Sequence, residues 1–347
     1  MARRDYTVTY REQIEIFRTD WSKSWLAVLL FLMAVFPFIA DSYILYLANL
    51  TGIFGIGALG LNLLTGNGGL ISLGQGGFVA VGAYACGILV TKLDLPFVLA
   101  LPLSGLIAAL CGFVIGLPAL RLKGLYLAMI TMGFVFVIDY IINQFSSLTG
   151  GGEGLKVPAV KIGQYALNTD LKFYSVIMPI LILLCYFTKN LLRTPFGRAL
   201  IAIRDRDIAA EVSGVHLAKC KVQAFMLSAF YAGVAGAIYG PYVKLISPDY
   251  FGIRLSIDYI AIIIIGGLGT VVGTLFGSLF VTIVPEVLRM FSDLTRTSYP
   301  VFAERFGDLR EGVFGSLIIA FILFEPTGLA GIWRRVKIYF KSWPFRY

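Results

Sequence analysis

The sequence predicts an all-α integral membrane protein of about ten transmembrane helices, with both termini in the cytoplasm. Three observations carry this prediction. The 347-residue chain is 58% hydrophobic and only 14% charged, whereas ordinary globular chains are roughly half apolar and a quarter charged. Its apolar residues come in blocks of about 17 to 25, the length that crosses a hydrocarbon core of about 30 Å. Lysine and arginine are also placed unevenly. With the N-terminus inside, five fall in the N-terminal tail, two at Arg121 and Lys123, seven between Lys189 and Lys221, and five in the C-terminal tail. That leaves ten of the 29 outside, the bias that sets orientation in a bilayer.

The elements follow in order. Residues 1–24 form a charged tail in which Tyr10, Ile14, Phe17 and Trp21 recur at helical spacing, so an interfacial helix is expected there. The transmembrane domain runs from 25 to 332, with spans at 25–40, 43–65, 72–91, 96–118, 124–143, 173–190, 222–241, 256–270, 271–289 and 312–330. Outside loops are expected at 144–172 and 290–311, and a long cytoplasmic connection between Lys189 and Lys221. Residues 333–347 form a basic cytoplasmic tail, again with aromatic and aliphatic residues at helical spacing among its charges. Ser228, Ala232, Gly236 and Gly240 form a four-residue ladder, as do Gly269, Gly273 and Gly277. Such ladders let helix backbones approach closely. Spans 2–5 and 7–10 each hold a glycine-interrupted helix, the second at 262–277. This is a weak internal symmetry of the inverted-repeat kind, which in transporters brackets the substrate pathway.

The net charge of +9 does not point to nucleic acid, because the charges flank the apolar blocks, where they meet lipid headgroups. Cys86, Cys111, Cys185 and Cys220 lie far apart, without metal-ligand or disulfide spacing. His216 is the only histidine, and no nucleophile–base motif, metal motif or phosphate loop is present. No catalytic or metal-binding residue is therefore assigned, no cofactor is expected, and any nucleotide that drives the protein binds another polypeptide. Asp139, Asp258, Glu286 and Glu325 read as carboxylates near span ends, within reach of water.

Two stretches carry the functional reading. In GLNLLTGNGGLISLGQGG (60–77) the glycines do not share one face and are interleaved with uncharged polar residues. TGNGG reads as a turn at the cytoplasmic face. Ser72 to Gly77 reads as an unwound start of the third span, and such backbone is tolerated at membrane depth only inside protein or beside a watery cavity. Asn62, Ser72 and Gln75 are the candidate polar lining of a pathway, Phe78 an apolar wall, and Gly266 and Gly267 their counterparts in the second interrupted segment. The other stretch is 193–215, where Thr194 and Pro195 open an amphipathic helix outside the membrane. Its mixed charge suits a cytoplasmic protein partner better than anionic lipid. Phe196, Arg198, Arg204, Asp205, Asp207, Ala209, Ala210 and Gly214 are the candidate docking residues.

Eight blocks then occur in a telling order: GLNLLTGNGGLISLGQGGFVAVGAY (60–84), RLKGLYLAMITMGF (121–134), LTGGGEGL (148–155), RTPFGRALIAIRDRDIAAEVSGV (193–215), AFYAGVAGAIYG (229–240), ISPDYF (246–251), IIGGLGTVVGTLFG (264–277) and FEPTGLAGI (324–332). Together they resemble the LivM-like permease subunits of branched-chain amino-acid ABC importers, over about residues 25–332. The resemblance implies a non-enzymatic, multi-pass subunit of a bacterial inner membrane. It also implies a second homologous permease, two ATP-binding subunits and a periplasmic binding protein as partners, with 193–215 as the coupling element. Leucine, isoleucine and valine are the implied substrates, with urea, short amides and hydrophobic acids as alternatives within the family. An ion-coupled secondary transporter is the alternative from another class. Of the EAA-xxx-G pattern common in such loops, Ala209, Ala210 and Gly214 match, Ile208 replaces the glutamate, and the distal I-x-L-P is absent, with Ala224 at its last position.

Overall fold

The computed structural model of the chain describes residues 20–163, 165–296, 312–313, 315–325 and 327–342. The N-terminal interfacial helix expected before residue 20, most of the 290–311 loop and the last five residues of the C-terminal tail lie outside the described residues. The longer helices are α1 (Asp20–Ile39), α2 (Ser42–Leu61), α3 (Gln75–Thr91), α4 (Phe97–Gly116), α5 (Leu125–Gln144) and α6 (Asp170–Leu191). They are followed by α7 (Pro195–Asp205), α8 (Asp207–Val212), α9 (Leu217–Val243), α10 (Ile253–Gly266), α11 (Val271–Arg296), α12 (Gly315–Phe324) and α13 (Gly328–Ser342).

Among the described residues, six helices are long and apolar enough to cross a membrane: Ser42–Asn67, Phe97–Gly116, Leu125–Gln144, Asp170–Leu191, Leu217–Val243 and Val271–Met290. A seventh appears if α12 and the helix after it, bent by 45° between them, count as one. Each of the ten predicted spans falls on helix, but not each helix has spanning length. The 17 residues of α3 reach about 26 Å and the 14 of α10 about 21 Å at 1.5 Å per residue. The last predicted span breaks after Phe324, and the helix that starts at Gly328 runs on into the basic tail.

The centre of the bundle is α9. Nearly every turn of it is buried, and Ala229, Ala232, Ala235, Ala237 and Ile238 have no exposed surface. Its small residues serve three neighbours at once. A Cβ on Gly233 would lie 2.5 Å from Ala108 Cβ of α4. A Cβ on Gly236 would overlap the Val79 carbonyl of α3, and one on Gly60 of α2 would lie 2.7 Å from the Ser228 carbonyl. The ladder read from sequence is thus the crossing of α9 with α3. Lipid tails are as apolar as leucine, so burial adds little between membrane helices and contact between backbones holds them together. The outer faces of α4, α5 and α6 carry Leu106, Leu110, Val114, Met129, Phe136 and Leu183, all more than half exposed. They form the lipid-facing surface that a bundle without a water-facing coat requires.

The two ends of the bundle differ. At one, the 144–172 loop folds into a helical turn, a 3₁₀ turn and short strands, and Leu155–Lys156 pairs antiparallel with Leu245–Ile246. Ile246 is fully buried against Gly87 and Gly240. The other end carries α7, α8 and the loops at 62–74, 117–124 and 267–270.

Candidate functional site

The two short helices begin inside the bundle, and their N-termini meet. Gln75 opens α3 with no exposed surface. Its Nε2 donates to the Gly57 carbonyl at 2.7 Å, and its Oε1 accepts from Ser228 Oγ at 3.4 Å. The next amide, Gly76 N–H, donates to Ser256 Oγ in the first turn of α10 at 2.9 Å. A Cβ on Gly76 would lie 2.7 Å from the Phe251 carbonyl and 2.9 Å from that of Gly252. Only glycine admits this contact. Ser228 is eleven residues into α9, about 17 Å along its axis, so the meeting point sits deep in the bundle. Each short helix is reached through chain without α-helix, 68–74 before α3 and 244–252, with a short strand and the 3₁₀ turn Pro248–Phe251, before α10. The polar groups of the first lead-in are satisfied locally. Ser72 Oγ accepts from Gly74 N–H at 3.2 Å, and Thr131 Oγ1 accepts from Leu73 N–H at 2.9 Å.

Phe251 lies between two cavities of about 20 Å³ each, each room for about one water. One is lined by Ile53, Phe54, Val79, Tyr239, Tyr250, Leu255 and Tyr259 besides Phe251. The other lies between Gly77, Ala80, Val135, Ile138, Asp139, Ile142, Pro248 and Gly252. Phe78, fully buried, faces Phe134 with ring centroids 4.6 Å apart. The surroundings of the paired N-termini are mostly apolar and aromatic, with uncharged hydrogen-bonding groups at the centre and Asp139 at the edge of the second cavity.

A second junction ties the interrupted segments together. α2 ends in a wide π turn, Asn62–Asn67, a form often found at functional sites. Asn62 is buried there and bonds to the loop joining α10 and α11. Its Nδ2 donates to the Thr270 carbonyl at 2.9 Å and to Thr274 Oγ1 at 2.6 Å, while its Oδ1 accepts from Gly269 N–H at 2.7 Å. Gly66 has no room for a Cβ, which would overlap Asn62 Oδ1 and the Gly269 backbone. Gly266 packs against the Gly273 carbonyl, and Gly267 ends α10 at φ 121°. TGNGG is thus partly π turn, with the reversal beginning at Gly68.

The 193–215 stretch forms two helices. Thr194 Oγ1 accepts from Gly197 N–H as the N-cap of α7. Arg206 is extended, and Asp207 starts α8 by accepting from its neighbour Ile208 N–H at 2.9 Å. Lys123 pairs with Asp207 and holds its carboxyl below the usual carboxylate range. The candidate docking residues divide by position. Arg198, Asp205, Ala209 and Gly214 are exposed. Ala210 is buried, and Phe196 packs on the cluster around Leu63 and Leu200. Arg204 is exposed as well, but the end of its side chain reaches the interrupted segments: its Nη1 donates to the Gly66 carbonyl at 2.7 Å, and a Cβ on Gly269 would come within 3.4 Å of the same nitrogen. One guanidinium therefore bonds α7 to the first interrupted segment and lies beside the second. Ser256, Phe251, Thr270 and Thr274 escaped sequence reasoning, because neither periodicity nor charge marks them. The readable signal was Pro248 and Gly252 bracketing a short stretch between apolar blocks.

A bundle of lipid-facing helices with two short helices meeting inside it is that of a multi-pass membrane protein, and the family match makes it a permease. Residues 43–322 match the family described as branched-chain amino acid transport system / permease component, and the chain belongs to it. It is 30% identical over 331 residues to the high-affinity branched-chain amino acid transport system permease protein LivM of Escherichia coli K12, covering 88% of this chain and 74% of that one. A probable LivM of Methanocaldococcus jannaschii is 24% identical over 80% of this chain and 90% of its own length. The ribose import permease protein RbsC of Haemophilus influenzae is 26% identical over 73% and 79%. No solved structure matches the chain.

Proposed function

We propose that this chain is the translocating subunit of an ATP-driven importer of leucine, isoleucine and valine, working by alternating access. The observation that carries the reading is the meeting of the α3 and α10 N-termini deep in the bundle, among aromatic side chains. Paired helix starts at membrane depth offer amide dipoles to a carboxylate, and the apolar walls suit an aliphatic side chain. In this reading α3 and α10 complete a count of ten passes, because the lead-in before each covers the depth that the α-helix does not. The lysine and arginine bias supports both termini in the cytoplasm, which puts α7 and α8 on the side where ATP is available. The partners are a second homologous permease, two ATP-binding subunits and a periplasmic binding protein. ATP binding and hydrolysis on the partners would move α7, and Arg204 would carry the motion to the π turn and the 267–270 loop.

Uptake by the assembled complex in vesicles tests the proposal. Radiolabelled leucine, isoleucine and valine are expected to accumulate only with internal ATP and added binding protein. Preferential uptake of ribose, urea or short amides would replace the substrate assignment. Accumulation by the chain alone under an ion gradient would replace the mechanism with a secondary transporter.

A further inference from the structure

The deepest charge on the face around α8 has no role in the mechanism above. Lys221 lies in the second turn of α9 and is only 4% exposed. Its ammonium makes no hydrogen bond or ion pair among the described residues. Asp207 and Glu211 are close enough to attract it, but Asp207 is engaged by Lys123. Lys221 lines a cavity of about 530 Å³ together with Lys123, Ile208, Glu211, Gly214 and the first residues of α9, Leu217 and Ala218. His216 gives that helix start no side-chain cap. The stem of Lys221 is thus buried while the residue lines the cavity, and an uncapped helix start offers further amide donors to an anion.

We propose that this cavity is a socket for one carboxylate side chain of the ATP-binding subunit, with Lys221 at its floor. The proposal rests on the importer reading above and adds the chemistry of the contact. Two features select a protein over a free anion. Asp207 and Glu211 lie at the socket and offset Lys123 and Lys221, so a multiply charged ion such as phosphate is opposed more strongly than a single carboxylate. Ile208 and Val212 on α8 are 73% and 86% exposed, and only a protein surface would cover them while the acid enters.

The test uses the complex assembled in nanodiscs from wild type, K221M and K221R. Methionine keeps the length and removes the charge. K221M is expected not to lower the melting temperature of the permease alone, since the ammonium makes no hydrogen bond there and methionine keeps the packed stem. The same change is expected to weaken its affinity for the ATP-binding subunits by about tenfold or more, with K221R retaining most of the affinity. Carbodiimide treatment of the wild-type complex should yield an amide between Lys221 Nζ and an aspartate or glutamate of the ATP-binding subunit, found by mass spectrometry. Unchanged affinity in K221M overturns the proposal, as does a Lys221 cross-link only to Glu211 or Asp207. Shielding of Lys221 from an amine reagent by phosphate, or by phosphatidylglycerol vesicles without the ATP-binding subunits, assigns the socket to a free anion or a lipid and also overturns it. A wild-type permease that binds no ATP-binding subunit would instead overturn the importer reading itself.

Discussion

Arg204 and Asn62 are the two side chains through which distant parts of the permease touch. The guanidinium of Arg204 spans from α7 to the Gly66 carbonyl, and a bond between a charged donor and a backbone carbonyl contributes about 1.5–3 kcal/mol. In the assembled importer, Arg204→Ala is expected to lower leucine uptake by about tenfold while the complex still assembles and hydrolyses ATP. Arg204→Lys should recover part of the uptake. Equal loss of ATPase activity and assembly would make Arg204 a docking residue instead. Asn62 satisfies one amide, one carbonyl and one hydroxyl of the opposite half. Replacing it by leucine strands the Gly269 N–H, at about 1–3 kcal/mol, while the Thr270 carbonyl and the Thr274 hydroxyl keep their bond to each other. Thermal unfolding of the purified Asn62→Leu variant should show a clear drop, and a melting temperature equal to wild type would show the junction to be incidental. Both side chains were singled out from sequence, but their partners lie far along the chain. Asn62 bonds to Thr274, 212 residues away, and Arg204 to Gly66, 138 residues away.

Helices pack here through glycines whose neighbours are backbone, so the consequence of adding a methyl group differs from one helix to the next. Gly236 lies against the Val79 carbonyl, whereas Gly133 on α5 has nothing within 4 Å of where its Cβ would be. Gly236→Ala should therefore destabilise the bundle by about 1–3 kcal/mol through forced separation of α9 and α3. Gly133→Ala should leave it unchanged or raise stability by up to about 1 kcal/mol through helix propensity. Unfolding of the two variants in the same detergent checks the contrast, and equal effects would refute the crossing. The ladder in α9 was legible because four-residue spacing puts small residues on one face. The start and length of α3 and α10 were less so. An apolar stretch reads alike whether it spans the membrane or begins halfway through, and hydropathy does not record depth.

For the whole molecule, the decisive arrangement is the meeting of two short helices from separate halves of the chain, with Phe251 between two small cavities. If substrate passes there, enlarging that side chain should act on larger substrates first. Phe251→Trp is expected to raise the KM for leucine and isoleucine several-fold relative to valine, with ATPase coupling retained, as measured by uptake at graded concentrations. An equal change for all three amino acids would place the selective contact elsewhere. The class of the protein needed only the sequence. Blocks of apolar residues must be helices in lipid, since every backbone polar group there has to be paired within the chain, and flanking charge orients them. The residue types at the breaks were equally plain, as glycine and uncharged polar residues are out of place on a lipid face. Only the tertiary structure decided which break meets which, that Arg204 bonds to the Gly66 carbonyl and that Lys221 lies buried beside a cavity. Those outcomes depend on contacts between segments more than a hundred residues apart, or on the packing of loops, and neither periodicity nor composition encodes that.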